Sequence, residues 1–168
     1  MDVGIPEVPP DPPSAFIRAG ARMMASGPAQ SFLRTYGWRL DRALIKRSNG
    51  HLSMSMAIPE VLLTHTGAKS GQQRSTPLTY FTDGGRVIVI ASNYGGVRHP
   101  AWYHNVKANP RVTLSSRGYQ GTFVGEEMLD AERDRLFGLA VQFMPNYAGY
   151  QKTTGGRRIP VVAFTEVE

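Results

Sequence analysis

The chain has no cysteine among its 168 residues. That excludes a disulfide framework, a thiol nucleophile and any thiolate-held metal or iron–sulfur centre, and it suits a reducing cytoplasm. Long apolar runs are missing too: nothing in the sequence approaches the roughly 20 consecutive apolar residues that span a bilayer. Acidic residues are sparse, 13 Asp and Glu against 19 Lys and Arg, which leaves a formal net charge of +6. Such a balance asks for an anionic partner. Nucleic acid is not the expected one, since there is no recognition-helix pattern and no basic strand interleaved with aromatics. An anionic cofactor and an anionic lipid surface remain. No internal repeat or shift of composition divides the chain, and its length is sufficient to bury one core.

Residues 1–13 carry Pro6, Pro9, Pro10, Pro12 and Pro13 and read as a disordered, proline-rich leader. They lack the basic and apolar regions of a signal peptide, so the expected location is cytoplasmic. From 14 to 50 the chain reads as a basic amphipathic helical segment broken near Gly27-Pro28. Phe16, Ile17, Phe32, Leu33, Trp38 and Leu44 supply apolar positions, and Arg18, Arg22, Arg34, Arg39, Arg42, Lys46 and Arg47 are opposed only by Asp41. Such a segment either packs with its basic face in water or, through 14–47, lies peripherally on the inner face of the cell membrane.

The densest chemistry lies between Leu63 and Leu114. Gly67 and Gly71 let the backbone curl, while Lys69 and Arg74 put a mobile point charge and a planar fork at the two ends of the turn. That arrangement suits a phosphate or carboxylate; it also fits an ordinary hairpin tip in water. It is not a phosphate loop of the Walker type, because the glycine–lysine–serine spacing is wrong and the residues after Arg74 read as a strand. Pro77–Thr82 and Arg86–Ser92 flank Asp83-Gly84-Gly85, the pattern of a tight antiparallel hairpin. The second of these strands is apolar at nearly every position, so both of its faces are expected to be covered. It ends in Ser92-Asn93-Tyr94-Gly95-Gly96, small residues that leave room for a planar ring to approach, or that simply form a tight loop.

Pro100 can open a short helix that stops before Asn109-Pro110, with Trp102, Asn105 and Val106 on one side. His99 and His104, five apart, are expected on different faces, and no metal site is expected. Further strands are predicted at Arg111–Leu114 and between Gly118 and Gly125. A helix is predicted over Glu126–Val141, with Ala131, Glu132, Arg133 and Arg135 on its solvent face. Gly155-Gly156-Arg157-Arg158 reads as a turn before a last strand, Ile159–Phe164.

Taken in order, Thr-Gly-Ala-Lys-Ser-Gly-Gln-x-Arg-x-x-Pro-Leu, Asp-Gly-Gly-x-Val-x-Val-x-Ala-Ser and Gly-Gly-x-x-x-Pro-Ala-Trp-Tyr-His-Asn-x-x-Ala-Asn-Pro resemble the deazaflavin-dependent nitroreductase family of actinobacteria. The resemblance implies a mainly β protein with flanking helices, a split β-barrel of the FMN-binding type over residues 51–168, carrying coenzyme F420. By position, Lys69 and Arg74 would hold its phosphate and first glutamates, and Pro77 would line the same groove. Ala91, Ser92 and Asn93 would lie by the deazaflavin ring, with Trp102 and Asn105 supporting that pocket. Arg157 and Arg158 could then reach the glutamate tail instead of only turning the chain.

The same resemblance puts Met144, Tyr147 and Tyr150 over the ring as the acceptor wall. Met144 stands where the family has a tyrosine, which favours a flat hydrophobic acceptor such as a quinone, beside nitro compounds and activated alkenes. Tyr147 or Ser92 would supply the proton that follows hydride transfer. Fold analogy also suggests a homodimer. Two other readings fit the same residues: an FMN-dependent split-barrel oxidoreductase, and a non-enzymatic carrier of F420 or lipid.

Overall fold

The alternation Arg111-Val112-Thr113-Leu114-Ser115-Ser116 sends every second side chain inward, and in the computed structural model, which describes residues 4–11 and 58–168, Val112, Leu114 and Ser116 are buried. A period of two marks a strand with one covered face. Among the described residues six strands form: β1 (Glu60–Thr66), β2 (Gln73–Asp83), β3 (Arg86–Ile90), β4 (Arg111–Ser116), β5 (Tyr119–Met128) and β6 (Val161–Val167). They close into an antiparallel barrel in the order β1-β2-β3-β6-β5-β4. The helices α1 (Ala101–Ala108), α2 (Asp130–Phe143) and α3 (Asn146–Thr153) flank it. The expected mainly β architecture is therefore the observed one.

Gly84 and Gly85, at φ of 55° and 74°, make the tight β2–β3 turn that the sequence predicts. β3 is covered on both faces, as its unbroken apolar run requires. Val87 and Val89 point into the barrel lumen with Leu63, Leu114, Phe123 and Phe164, and α1 adds Trp102 and Val106 to that cluster. Ile88 and Ile90 point outward into a second cluster, where α2 and α3 cover them with Leu136, Ala140, Phe143 and Tyr147. α1 is also tied from outside: the Tyr103 hydroxyl and the Lys107 ammonium both donate to Glu127 of β5, at 2.9 and 2.8 Å.

Some local expectations give way to tertiary pairing. Glu126, Glu127 and Met128, read as the start of a helix, instead extend β5 opposite Ala163, Val162 and Val161, so α2 starts only at Asp130. Arg133 is not on the solvent face. It is buried, its guanidinium donates to the Ile159 carbonyl at 3.1 and 2.6 Å, and it lies over the Phe137 ring at 4.2 Å. The proline-rich start is not free where it is described, at residues 4–11. Val8 exchanges backbone and hydroxyl hydrogen bonds with Thr82 at 2.7 to 3.1 Å, where β1 has not yet begun, and Ile5 and Val8 pack on the lumen cluster. The basic segment 14–50, with its membrane-facing reading, lies outside the described residues. Among the described residues no helix is long and apolar enough to cross a membrane.

Gly125 of β5 sits where α1 crosses the sheet: a Cβ there would meet Val106 Cγ1 and Phe164 Cε1, each at 2.7 Å. Gly125→Ala should therefore lift α1 off β5 and destabilise the protein by about 1–3 kcal/mol, read as a lower urea midpoint at unchanged slope.

Candidate functional site

β2 and β3 pair only from Tyr80–Asp83 to Arg86–Val89. Beyond Tyr80 the strands part. β2 continues its ladder with β1 through Gln73–Thr79, whereas Ala91 turns away and gives its N–H to the Pro160 carbonyl at 2.9 Å. Had the hairpin register continued, Pro77 would face Ser92. Proline tolerates this free edge because it has no N–H to leave unpaired. Among the described residues no strand pairs with that stretch of β2 edge, so Arg74 and Pro77 on one side and Ala91 and Ser92 on the other border a split in the barrel wall.

The β1–β2 turn stands at the outer end of this split. Gly67 donates to the Gln72 carbonyl and Gly71 to the Gly67 carbonyl, both at 2.8 Å, and Lys69 and Arg74 are exposed. The turn is held from below. The Ala68 N–H donates to Asn105 Oδ1 at 2.9 Å, so the other end of that amide must be the donor, and it reaches Nδ1 of His65 at 3.1 Å. His65 Nδ1 is thus an acceptor, which leaves Nε2 to carry the proton and donate to Thr76 Oγ1 at 3.2 Å. Burial, and then the charge of Arg74, push the His65 pKa below its usual value and favour this neutral form. Asn105 therefore acts as a support under the cation turn. Trp102, one helical turn earlier, is buried in the lumen cluster.

At the inner end, Asn93 and Tyr94 adopt left-handed backbone at φ of 50° and 52°, followed by Gly95 at 75°. A Cβ on Gly95 would lie 3.0 Å from the Tyr150 Cα, so glycine is what lets this turn press against α3. Thr153 Oγ1 donates to the Gly95 carbonyl at 3.1 Å and fixes the contact. The side chain that organises the loop is Arg157, read from the sequence only as part of a turn or as a reach toward the glutamate tail. Half-buried Arg157 donates to the carbonyls of Ala91 at 3.3 Å, Ser92 at 2.8 Å and Gly96 at 3.1 and 2.8 Å, and to His99 Nδ1 at 2.9 Å. Burial, followed by the Arg157 charge, lowers the His99 pKa, in keeping with an imidazole that accepts from a guanidinium. The His99 and His104 rings, expected apart, lie 5.8 Å from each other because His99 precedes the helix.

The expected turn at Gly155-Gly156 forms, both residues at positive φ. Its two arginines separate: Arg157 folds inward, whereas Arg158 reaches Asp134 at 2.6 Å. Nothing in the local pattern distinguishes one arginine from the next; only the tertiary fold brings carbonyls to the first.

Met144 lies at the α2–α3 junction, and with Tyr147 and Tyr150 it joins the outer cluster. The Tyr147 and Tyr150 rings meet edge to face at 6.1 Å, and Tyr150 meets Tyr94 at 6.2 Å, so three aromatics step from the core to the 65% exposed Tyr94. Burial pushes the Tyr147 phenol well above the usual range. It keeps its proton at neutral pH and can donate a hydrogen bond, but it cannot readily ionise.

This donor set fits F420. An exposed lysine and arginine flank a glycine turn beside a split bordered by alanine, serine and proline, which offers charge for a phosphate and glutamates and little bulk against a ring. Groups of His, Asp and Glu able to hold a metal do not occur among the described residues.

Comparison with known proteins points the same way. The family model for F420H(2)-dependent quinone reductases matches residues 37–166. An F420H(2)-dependent quinone reductase of Mycobacterium tuberculosis is 38% identical over 132 residues, covering 76% of this chain and 88% of the relative. A solved F420-H2 dependent reductase is similar at 41% identity and a TM-score of 0.58, over 63% of this chain and 93% of that one. A second solved structure, described as a domain-swapped dimer, is 35% identical over 75% of this chain and 97% of its own, with a TM-score of 0.59. The matched region begins ahead of β1 and ends within β6, enclosing the split, the cation turn and the tyrosine helix, and the chain belongs to the F420H(2)-dependent quinone reductase family.

Proposed function

We propose that the protein passes a hydride from reduced F420 to a flat hydrophobic acceptor of the quinone class. The parting of β2 from β3 beside the Lys69–Arg74 turn carries this reading, since it supplies an anion grip and a bulk-free strand edge side by side. When bound, the reduced cofactor supplies the hydride. The chain's own residues bind, orient and exclude water. Lys69 and Arg74 neutralise the phosphate and glutamate charge, and Asn105 and neutral His65 hold the backbone that carries them. Ala91, Ser92, Asn93 and Pro77 give the ring its walls. Met144, Tyr147 and Tyr150 form the apolar side on which an acceptor stacks, keeping it at near-attack distance and out of water. Tyr147 or Ser92 donates a hydrogen bond to the acceptor oxygen as it gains negative charge, and a proton delivered there completes the hydroquinone.

A homodimer fits the same picture, supported by fold analogy and by the relative described as a domain-swapped dimer. The family description favours F420 over FMN as cofactor and a catalyst over a carrier. Anaerobic mixing with reduced F420 and a menaquinone analogue, with FMN and NADPH as controls, distinguishes these readings. Reoxidation that requires both protein and acceptor supports the proposal; tight binding without turnover would leave a carrier.

Three tests follow from these assignments. Lys69→Ala and Arg74→Ala should each weaken F420 binding about ten-fold, the scale of one solvent-exposed charge-assisted hydrogen bond, and the loss should shrink at high salt. Fluorescence titration measures it. Tyr147→Phe should lower kcat with F420 affinity near that of the wild type; unchanged kcat would remove its proton-side role.

The third concerns His65. Its folded pKa lies below the usual imidazole value of about 6.5, so the unfolded chain takes up the proton first as pH falls. The contribution of neutral His65 is complete above about pH 6.5 and is lost as pH drops from there through the folded value. The urea midpoint of the wild type should therefore fall between pH 7 and pH 5 more steeply than that of His65→Gln, with F420 affinity falling over the same window as Nδ1 ceases to accept from Asn105.

A further inference from the structure

A strand that leaves a sheet must find new partners for the carbonyls it takes with it. Where β3 leaves β2, the Ile90 carbonyl takes the Ser92 N–H at 2.9 Å, and the carbonyls of Ala91, Ser92 and Gly96 in the loop that follows take N–H groups from one side chain. Arg157 makes five hydrogen bonds to the segment Ala91–His99, four of them to the carbonyls of Ala91, Ser92 and Gly96 and one to His99 Nδ1. The segment is short, strained at Asn93 and Tyr94, and otherwise closed on itself by the Gly95 N–H to the Ser92 carbonyl, the Gly96 N–H to the Asn93 carbonyl and the Asn93 side-chain amide to the Arg98 carbonyl at 2.9 Å. A half-buried guanidinium normally faces a carboxylate, because desolvating its charge is costly. Here every one of these acceptors is neutral, and among the described residues no carboxylate forms an ion pair with Arg157. Burial also lowers the Arg157 pKa, as expected for such a setting.

We propose that Arg157 is a positioning residue: it holds the strand end Ala91–His99 away from β2 and so keeps open the split that receives the cofactor ring. The last clause rests on the function proposed above; the first stands on the fold alone. The planar fork is essential, since one guanidinium spans three carbonyls and an imidazole in directions that a single ammonium cannot cover. Without it, the Ala91 carbonyl lacks a partner and the Ser92 and Gly96 carbonyls lose their guanidinium donors, so the loop is free to shift and the split loses its shape.

The test compares wild type, Arg157→Lys and Arg157→Gln in the full chain. Amide hydrogen exchange without cofactor reads the loop, thermal denaturation reads the barrel, and F420 fluorescence titration reads the site. In both variants the Gly95 and Gly96 amides should exchange at least ten-fold faster while the amides of β1, β4 and β5 keep wild-type protection. F420 affinity should fall at least ten-fold, with lysine failing to restore it. Wild-type loop exchange in both variants, or faster exchange spread equally through the barrel, would overturn the positioning role. So would full recovery of affinity by lysine, which would leave charge alone as its contribution. A wild-type protein that does not bind F420 would overturn the function proposed above, and the cofactor-free exchange data would still decide whether Arg157 holds the loop.

Discussion

β2 and β3 pair as a tight hairpin at one end and separate at the other, and the rest of the molecule is arranged around the backbone groups which that separation releases. Each such group needs a partner or water, because an orphaned buried amide costs as much as a lost hydrogen bond. On the β2 side, proline removes one donor at Pro77. On the β3 side, the Ile90 carbonyl takes the Ser92 N–H, while the Ala91 N–H continues toward Pro160 and the loop carbonyls that follow go to Arg157. The residues that flank the separation are small, which keeps the space between them from refilling with side chains.

The electrostatics of the region follow from the same arrangement. Arg74 and Lys69 stand in water at one end of the split, and Arg157 stands half-buried at the other. Histidines lie beside two of these cations, and both are held neutral, His65 mainly by burial and secondarily by Arg74, His99 mainly by burial and secondarily by Arg157. A neutral imidazole can accept a hydrogen bond from a neighbour where a protonated one would repel it. The two histidines thus serve as acceptors within a positive field rather than as further sources of it.

The hairpin at Asp83-Gly84-Gly85 was legible because both turn positions need positive φ and the flanking runs have strand character. α1 was legible because Pro100 and Asn109-Pro110 bound it on both sides. The anion turn, the small strand end and the tyrosine segment were all recognisable in order along the chain, and the fold brings them around one split. The β5–α2 boundary was not, because the charge alternation from Glu126 suits a helix until β6 pairs with it. Arg133, expected on a solvent face, and Arg157, expected in a turn or at the glutamate tail, were misplaced for a related reason. A long side chain with a charged tip reads as solvated, and only the tertiary position of Ile159, Ala91 and Gly96 carbonyls turns these two inward. Residues 4–11 looked too proline-rich to order, yet Thr82 of β2 gives Val8 hydrogen-bond partners through its backbone N–H and its hydroxyl.

The double role of β3 separates two tasks in space. Its inward side chains share a core with α1 and, through Asn105, with the support of the cation turn; its outward ones share a core with α2 and α3, where Met144, Tyr147 and Tyr150 lie. Substitutions on the helical side can accumulate without disturbing Lys69 and Arg74, to which the proposed function gives the anion. A lineage built on this barrel is therefore free to diversify what it reduces while retaining the source of its electrons.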